Sequence, residues 1–224
     1  MRNIILSPLQ RIIAFIGIFA IVILIGFFCF QSLKSIENIL SFETKMSILS
    51  DKKAVIIIAF RGFRDEEYFV PKEILEKGGI EIKTASNQKG TAIGADGGEV
   101  EIDLLVSEIN PAEFDAVVFV GGPGCLLNLD NENSYKVTQE TVSQNKILAA
   151  ICVSPAILAK AGVLQGKKAT VWNSLMDKSA VKTLKENGAI YQDEVVVVDG
   201  KIITGNGPDA AKEFGEEIIK GLTP

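Results

Sequence analysis

Three short apolar runs constrain the fold of this chain more than any other feature. They lie at residues 54–60 (AVIIIAF), 115–120 (DAVVFV) and 146–151 (KILAAI). Their apolar residues are continuous rather than alternating, which is typical of strands buried on both faces of a parallel sheet. Each such strand needs helices to cover it, so the runs predict a layered α/β domain.

The segments between these runs have the patterns of helices and further strands. Residues 66–77 form a predicted helix with Pro71 in its first turn, and residues 87–98 are glycine-rich, which favours a surface loop or a hairpin. The other predicted helices cover residues 134–144, 154–161, 177–187 and 209–222. The other predicted strands cover residues 80–85, 99–105 and 169–172, with a hairpin at 195–204 that turns at Asp199-Gly200. The alternation predicts a doubly wound, mostly parallel sheet with helices on both faces and right-handed crossovers.

A long uncharged segment precedes this domain. Residues 12–30 (IIAFIGIFAIVILIGFFCF) contain no charged side chain, and a helix of that length matches the hydrocarbon core of a bilayer. The run is longer than the apolar region of a signal peptide, and no A-x-A-like cleavage site follows it. The sequence therefore predicts an uncleaved, single transmembrane helix. The predicted organisation is a tail (1–11), the transmembrane helix (12–30), a helical stalk or linker (31–51) and the α/β domain (52–224).

The charges that flank the apolar segment predict its orientation. Arg2 and Arg11 precede it, whereas the lysines that follow it, Lys34 and Lys45, are offset by nearby glutamates. Because the more basic flank stays in the cytoplasm, we expect the C-terminal domain to be extracytoplasmic.

The composition excludes several classes of function. The chain has no histidine, so Ser-His-Asp and Cys-His catalysis and His-ligated zinc are excluded within one chain. A formal net charge of −5 is a poor match for nucleic acid. Three cysteines do not form a disulfide framework. We expect neither a metal nor a cofactor.

The run at residues 146–151 leads directly into Cys152 and then into a predicted helix. A nucleophile elbow needs small residues two positions before and after the nucleophile, and Ala150 and Ser154 satisfy that spacing. The amides at a helix N-terminus favour a thiolate, so we expect a lowered pKa for Cys152. The alternative is a buried structural cysteine.

Two other strand ends carry candidate residues. The run at residues 115–120 leads into Gly121-Gly122-Pro123-Gly124-Cys125, where an exposed glycine amide, with that of Val153, could bind an oxyanion. The acidic cluster Asp65-Glu66-Glu67 follows the first strand, and in a chain without histidine its carboxyl groups are the candidates for proton transfer. The alternatives are an ordinary glycine-rich turn and a solvated charged surface.

These motifs resemble a known family. The strings AAICVSPAILAKAGVLQGKKAT, INPAEFDAVVFVGGPG and VVVVDGKIITGNGP are similar to those of the DJ-1/PfpI family, in the class I glutamine amidotransferase-like superfamily. The resemblance covers about residues 53–222. It implies a flavodoxin-like fold and a homo-oligomer, in the simplest case a dimer.

The resemblance also implies roles for particular residues. The family nucleophile falls on Cys152, and the oxyanion amides fall on Gly122 and Val153. The family glutamate that hydrogen-bonds the nucleophile lies four residues before a helix proline, which is Glu67 here, with Glu66 as the fallback.

Two departures from the family pattern bear on function. The peptidase-like branch has a histidine directly after the nucleophile and an acidic residue shortly after the glycine pair. Those places hold Val153 and Leu126 here, so we do not expect a cysteine peptidase.

The resemblance leaves two classes of function open. The first is a glyoxalase- or deglycase-like enzyme, a hydrolase or lyase in which Cys152 attacks small reactive aldehydes or glycated groups. The second is a non-enzymatic, redox-responsive or binding member, a stress protein in which Cys152 is oxidised to sulfenic acid. Cys125 is a possible redox partner of Cys152.

Overall fold

The computed structural model describes Lys34 and residues 49–223. Its main feature is a seven-stranded sheet that contains all three of the apolar runs. The strands of this sheet are β1 (Lys53–Ile58), β3 (Glu81–Ser86), β6 (Leu104–Leu105), β7 (Ala116–Phe119), β8 (Ile147–Ile151), β11 (Val196–Asp199) and β12 (Ile202–Gly205).

The strand order is β11-β12-β8-β7-β1-β3-β6. All neighbours are parallel except β11, which pairs antiparallel with β12 through the hairpin that turns at Gly200. The chain runs from β1 outward to β3 and β6, then returns to the other side of β1 with β7. The prediction of a doubly wound, mostly parallel sheet, made from the alternation of strands and helices, is therefore confirmed.

Helices cover both faces of the sheet. They are α1 (Asp65–Lys77), α2 (Cys125–Leu129), α3 (Glu132–Ser143), α4 (Pro155–Lys160), α5 (Ser179–Glu186) and α6 (Ala211–Leu222). Successive side chains of a strand point to opposite faces, so Ile56 and Ile58 pack with residues of α1 and α6, whereas Val55 and Ile57 pack with residues of α2, α3, α4 and α5. We call these two cores the α1/α6 face and the α3/α4/α5 face.

Two smaller sheets complete the domain. One consists of β2 (Arg61–Phe63), β4 (Thr91–Gly94) and β5 (Glu99–Glu101), and the other of β9 (Lys168–Ala169) and β10 (Ile190–Tyr191). The antiparallel β4–β5 pair is the hairpin that the glycine-rich loop favoured.

Three local predictions are wrong. The single strand at residues 99–105 is two strands in different sheets, because β5 pairs with β4 while β6 pairs with β3. The strand at residues 169–172 is shorter, because its pairing with β10 ends at Ala169. Pro71 lies in the middle of α1 rather than in its first turn, because the helix begins at Asp65.

The predicted transmembrane helix at residues 12–30 lies outside the described residues, as does most of the predicted stalk. Within the part of the chain that the structure describes, no helix has the length and apolar character needed to cross a bilayer.

Candidate active site

The candidate residues converge at the carboxyl ends of three adjacent strands. Cys152 directly follows β8, Gly121 and Gly122 follow β7, and Glu67 lies in the first turns of α1, which the chain reaches after β1 and β2. The strand order reverses between β1 and β7, and doubly wound sheets bind ligands at such a switch point. Residues that are far apart in the sequence are thereby brought together.

Cys152 occupies a strained backbone turn. Its φ is 65°, in the left-handed region that non-glycine residues rarely adopt. The turn is held on both sides: the Cys152 N–H donates to the Gly205 carbonyl at 2.9 Å, and the Cys152 carbonyl accepts from the Trp172 N–H at 2.8 Å. The residue is only 7% exposed. A strained residue that its surroundings fix at a strand end is typical of a nucleophile elbow.

Close approach of the backbone explains the glycines after β7. A Cβ on Gly121 would lie 2.5 Å from the Cys152 Cβ, and a Cβ on Gly124 would overlap the carbonyl oxygen of Arg61. Gly122 has a φ of +105° and faces the backbone of Arg64 without room for a side chain. The glycine-rich turn therefore lets the end of β7 reach both the thiol and the segment that leads into α1.

Glu67 is completely buried beside the thiol. Its Oε2 accepts a hydrogen bond from the Gly121 N–H at 3.1 Å, and the Gly121 carbonyl in turn accepts from the Arg64 N–H at 3.1 Å. Oε1 has no hydrogen-bond partner among the described residues. Burial raises the pKa of Glu67 to about 7, although hydrogen bonds with Cys152 and Gly121 and the positive charge of Arg64 act in the opposite direction.

The Cys152 thiol receives both stabilising and destabilising contacts. The backbone amides of Gly122 and Val153, which the sequence suggested as donors to an oxyanion, hydrogen-bond to the thiol and act to lower its pKa. Burial, the negative charge of Glu67 and the hydrogen bond with Glu67 outweigh them and raise the pKa to about 12. The expectation of a lowered pKa for Cys152 is therefore wrong, because the site is drier and more acidic than the position before a helix suggests. Glu67 ionises before the thiol does.

Ser154 has a role that the sequence did not predict. Its side chain is completely buried, and Oγ contacts three backbone groups: the Ile151 N–H at 3.0 Å, the Phe119 carbonyl at 2.9 Å and the Ile151 carbonyl at 2.7 Å. The sequence marked Ser154 only as a small residue of the elbow. Its hydrogen bonds connect the ends of β7 and β8.

The remaining candidates are Glu66, Asp65 and Cys125. Glu66, the fallback, is exposed on α1, and the Asp65 carboxylate accepts hydrogen bonds from the Asp96 N–H at 2.8 Å and the Gly98 N–H at 2.5 Å. Cys125 begins α2, is completely buried in the α3/α4/α5 face and is a free thiol, as Cys152 is. Burial raises the pKa of Cys125 far above its usual range.

Comparisons with known proteins show which family and fold this chain resembles. The model of the DJ-1/PfpI family matches residues 52–221. An uncharacterised protein of Methanocaldococcus jannaschii is 38% identical over 179 residues, which cover 80% of this chain and 86% of the relative. A deglycase of Thermococcus kodakarensis is 34% identical, covering 75% of this chain and 98% of the relative. The crystal structure of a ThiJ/PfpI domain protein from Brachyspira murdochii superposes with a TM-score of 0.72 at 35% identity, covering 76% of this chain and 95% of that one.

Proposed function

Because the chain belongs to the DJ-1/PfpI family, we propose that it is a deglycase- or glyoxalase-like enzyme that acts on small reactive aldehydes or on the groups they glycate. The observation that carries the proposal is that the strained Cys152 and the buried Glu67 carboxyl meet at Gly121, whose N–H donates to Glu67 Oε2 at 3.1 Å and where a Cβ would lie only 2.5 Å from the Cys152 Cβ. The relative named a deglycase supports this class of substrate.

The first step is addition of the thiol to a carbonyl group. The Cys152 sulfur forms a bond to the carbonyl carbon, the thiol proton moves to the Glu67 carboxylate, and the C=O π electrons become an alkoxide. The Gly122 and Val153 amides already face the sulfur, so they are close to the oxygen on which this charge develops. Glu67 then returns the proton to the alkoxide, and a hemithioacetal results with all atoms accounted for.

Glu67 suits this role because of its protonation equilibrium. A general base is most effective when its pKa lies near the working pH, and the pKa of Glu67 is about 7. An ordinary surface carboxylate would be too weak a base to take a proton from a buried thiol. Burial thus gives a carboxyl group the acid–base range that histidine has in other cysteine enzymes.

The same arrangement does not fit a cysteine peptidase. Val153, directly after the nucleophile, offers only its backbone amide to the reaction. A peptidase must also protonate an amine leaving group, a step that histidine performs in Cys-His enzymes. Addition to a free aldehyde expels no amine, and the nitrogen of a glycated hemiaminal, unlike a peptide nitrogen, is basic enough to take a proton from Glu67, so one carboxyl group can serve both substrates.

Consumption of methylglyoxal by the purified protein tests the proposal. We expect Cys152→Ala to abolish the activity and Glu67→Gln to lower kcat/KM at least about a hundredfold, which is typical of losing a general base. Glu66→Gln is the matched control, since this exposed neighbour should keep the wild-type rate. Wild-type rates in both Cys152→Ala and Glu67→Gln would contradict the proposal.

We also propose that residues 12–30 hold the domain at a membrane, with the domain on the extracytoplasmic side. The uncharged apolar run and the basic residues that precede it support this placement.

A further inference from the structure

The end of the β7–β8 pair contains a side chain between two backbone groups. The last paired residues of these strands are Phe119 and Ala150. One position further on, the Ile151 N–H donates to Ser154 Oγ at 3.0 Å, and this oxygen lies 2.9 Å from the Phe119 carbonyl oxygen. The Ser154 hydroxyl therefore bridges two backbone groups that belong to different strands.

The bridge lies where the two strands must separate. Beyond it, the end of β7 continues to Gly121 and Gly122, and the end of β8 continues to Cys152. The Cys152 thiol accepts hydrogen bonds from backbone amides of both segments, from Gly122 after β7 and from Val153 after β8. A hydroxyl oxygen between the strands lets them part without leaving the Ile151 N–H or the Phe119 carbonyl unpaired, which would be costly at a buried position.

Burial alone does not explain these contacts. Ser134, in α3, is also completely buried, and its hydroxyl has no hydrogen-bond partner among the described residues. Ser154, in contrast, uses its acceptor and its donor: one proton is shared between the Phe119 and Ile151 carbonyls while the oxygen accepts from Ile151. Of these two buried serine hydroxyls, only that of Ser154 connects backbone groups of neighbouring strands.

We propose that Ser154 is a positioning residue that sets the distance between the Gly122 amide and the Cys152 sulfur. This distance determines how well the amide stabilises the thiolate, whatever the substrate. Only the effect on catalysis rests on the proposed function. Without the hydroxyl, the ends of β7 and β8 shift to pair their unsatisfied groups, and the Gly122 amide moves off the sulfur. The thiolate then forms less readily, and an alkoxide at this place loses one of its two donors.

Alkylation of Cys152 by iodoacetamide, followed by peptide mass spectrometry, tests this without any assumption about the substrate. We expect Ser154→Ala to lower the second-order rate constant about tenfold at pH 8, the effect of a rise of one pKa unit in the thiol. Ser134→Ala is the matched control and should react within twofold of the wild type. Ser154→Thr retains the hydroxyl and should restore most of the rate.

The outcomes separate this inference from the proposed function. A Ser154→Ala protein that alkylates at the wild-type rate would overturn the inference. If Ser154→Ala does not fold, a soluble Ser154→Thr protein with a tenfold slower reaction would overturn it as well. If the wild type consumes no methylglyoxal but the alkylation rates differ as stated, the proposed function fails and the positioning role stands. If both hold, Ser154→Ala should lower kcat for methylglyoxal with little change in KM.

Discussion

Burial has opposite effects on the reactivity of Glu67 and Cys152. Burial raises the pKa of both groups, but it makes the carboxyl a better base and the thiol a poorer acid. The proton is thus on the thiol in the resting site, and Glu67 is ionised only as the pH passes about 7. Nucleophilic attack requires the proton to move from sulfur to the carboxylate in the same step, so these two side chains act as one unit.

This pairing predicts the pH dependence of the activity. Glu67 can accept the thiol proton only when it is ionised, so kcat/KM for methylglyoxal should rise about tenfold between pH 6 and pH 8 and then level off, as expected for a base whose pKa is about 7. In Glu67→Gln the residual rate should show no plateau near pH 8 and should continue to rise as the thiol itself ionises. A pH–rate series on both proteins measures this, and an unchanged plateau in Glu67→Gln would exclude Glu67 as the base.

At the residue scale the sequence predicted which side chains form the candidate site, but not their pKa values or their supporting hydrogen bonds. The strand-to-helix position marked Cys152, and the family spacing before Pro71 marked Glu67; the structure brings both together with Gly122 and Val153. The predicted direction of the Cys152 pKa shift was wrong because the shift depends on burial, and burial depends on every element that packs around the thiol. The bridging role of Ser154 depends on the separation of β7 and β8, which no local pattern specifies.

At the element scale the long apolar strands were predicted well because they are buried on both faces. A short, continuous apolar run between helical segments is best explained as a buried strand, and β1, β7 and β8 lie where the runs predicted them. The short strands were predicted poorly. No strand was predicted at β2, and β5 and β6 were predicted as one strand at residues 99–105. Strands of two or three residues carry too few side chains for a periodic pattern, and their pairing is determined by the loops that carry them.

The glycine turn after β7 offers a test at this scale. Gly124 has an ordinary φ of −81°, but a Cβ there would overlap the Arg61 carbonyl oxygen, so Gly124→Ala must displace β2. We expect it to lower the free energy of unfolding by about 3 kcal/mol. Gly200→Ala is the contrasting variant, because its Cβ meets open space and only its φ of +65° is unfavourable, which costs about 1 kcal/mol. Urea unfolding should rank the two variants in this order, and the reverse ranking would contradict the close contact.

At the scale of the whole molecule the site depends on the complete crossover pattern. Glu67, Gly122 and Cys152 come from the start of α1 and from the ends of β7 and β8, and they meet only because β1, β7 and β8 are neighbours in the sheet. The two cores support this arrangement from opposite sides, with Cys152 in the α1/α6 face and Cys125 in the α3/α4/α5 face. No single segment of the domain could assemble the thiol, the carboxyl and the amides.

The proposed membrane segment predicts how the whole chain behaves in cells. Full-length protein should remain in the membrane pellet after alkaline carbonate extraction, because an uncharged helix of about 20 residues spans the hydrocarbon core. Arginine substitutions at Val22 and Leu24 should release it, since each charge at the centre of a span costs about 2.5–3.5 kcal/mol on insertion scales. Release of the unmodified protein by carbonate would contradict the anchor, and protease protection of the domain in intact spheroplasts would contradict its outward orientation.

The left-handed backbone at Cys152 bears on the choice of an inactive variant for trapping bound substrate. Alanine is normally the more stable replacement, since glycine costs about 0.5–1 kcal/mol more in ordinary secondary structure. At a φ of 65° the order should reverse, because a Cβ is unfavourable there by about 1–2 kcal/mol and glycine is not. We therefore expect Cys152→Gly to melt at a higher temperature than Cys152→Ala in calorimetry, although both lack the thiol. An alanine variant that melts higher would show that the turn relaxes once sulfur is removed.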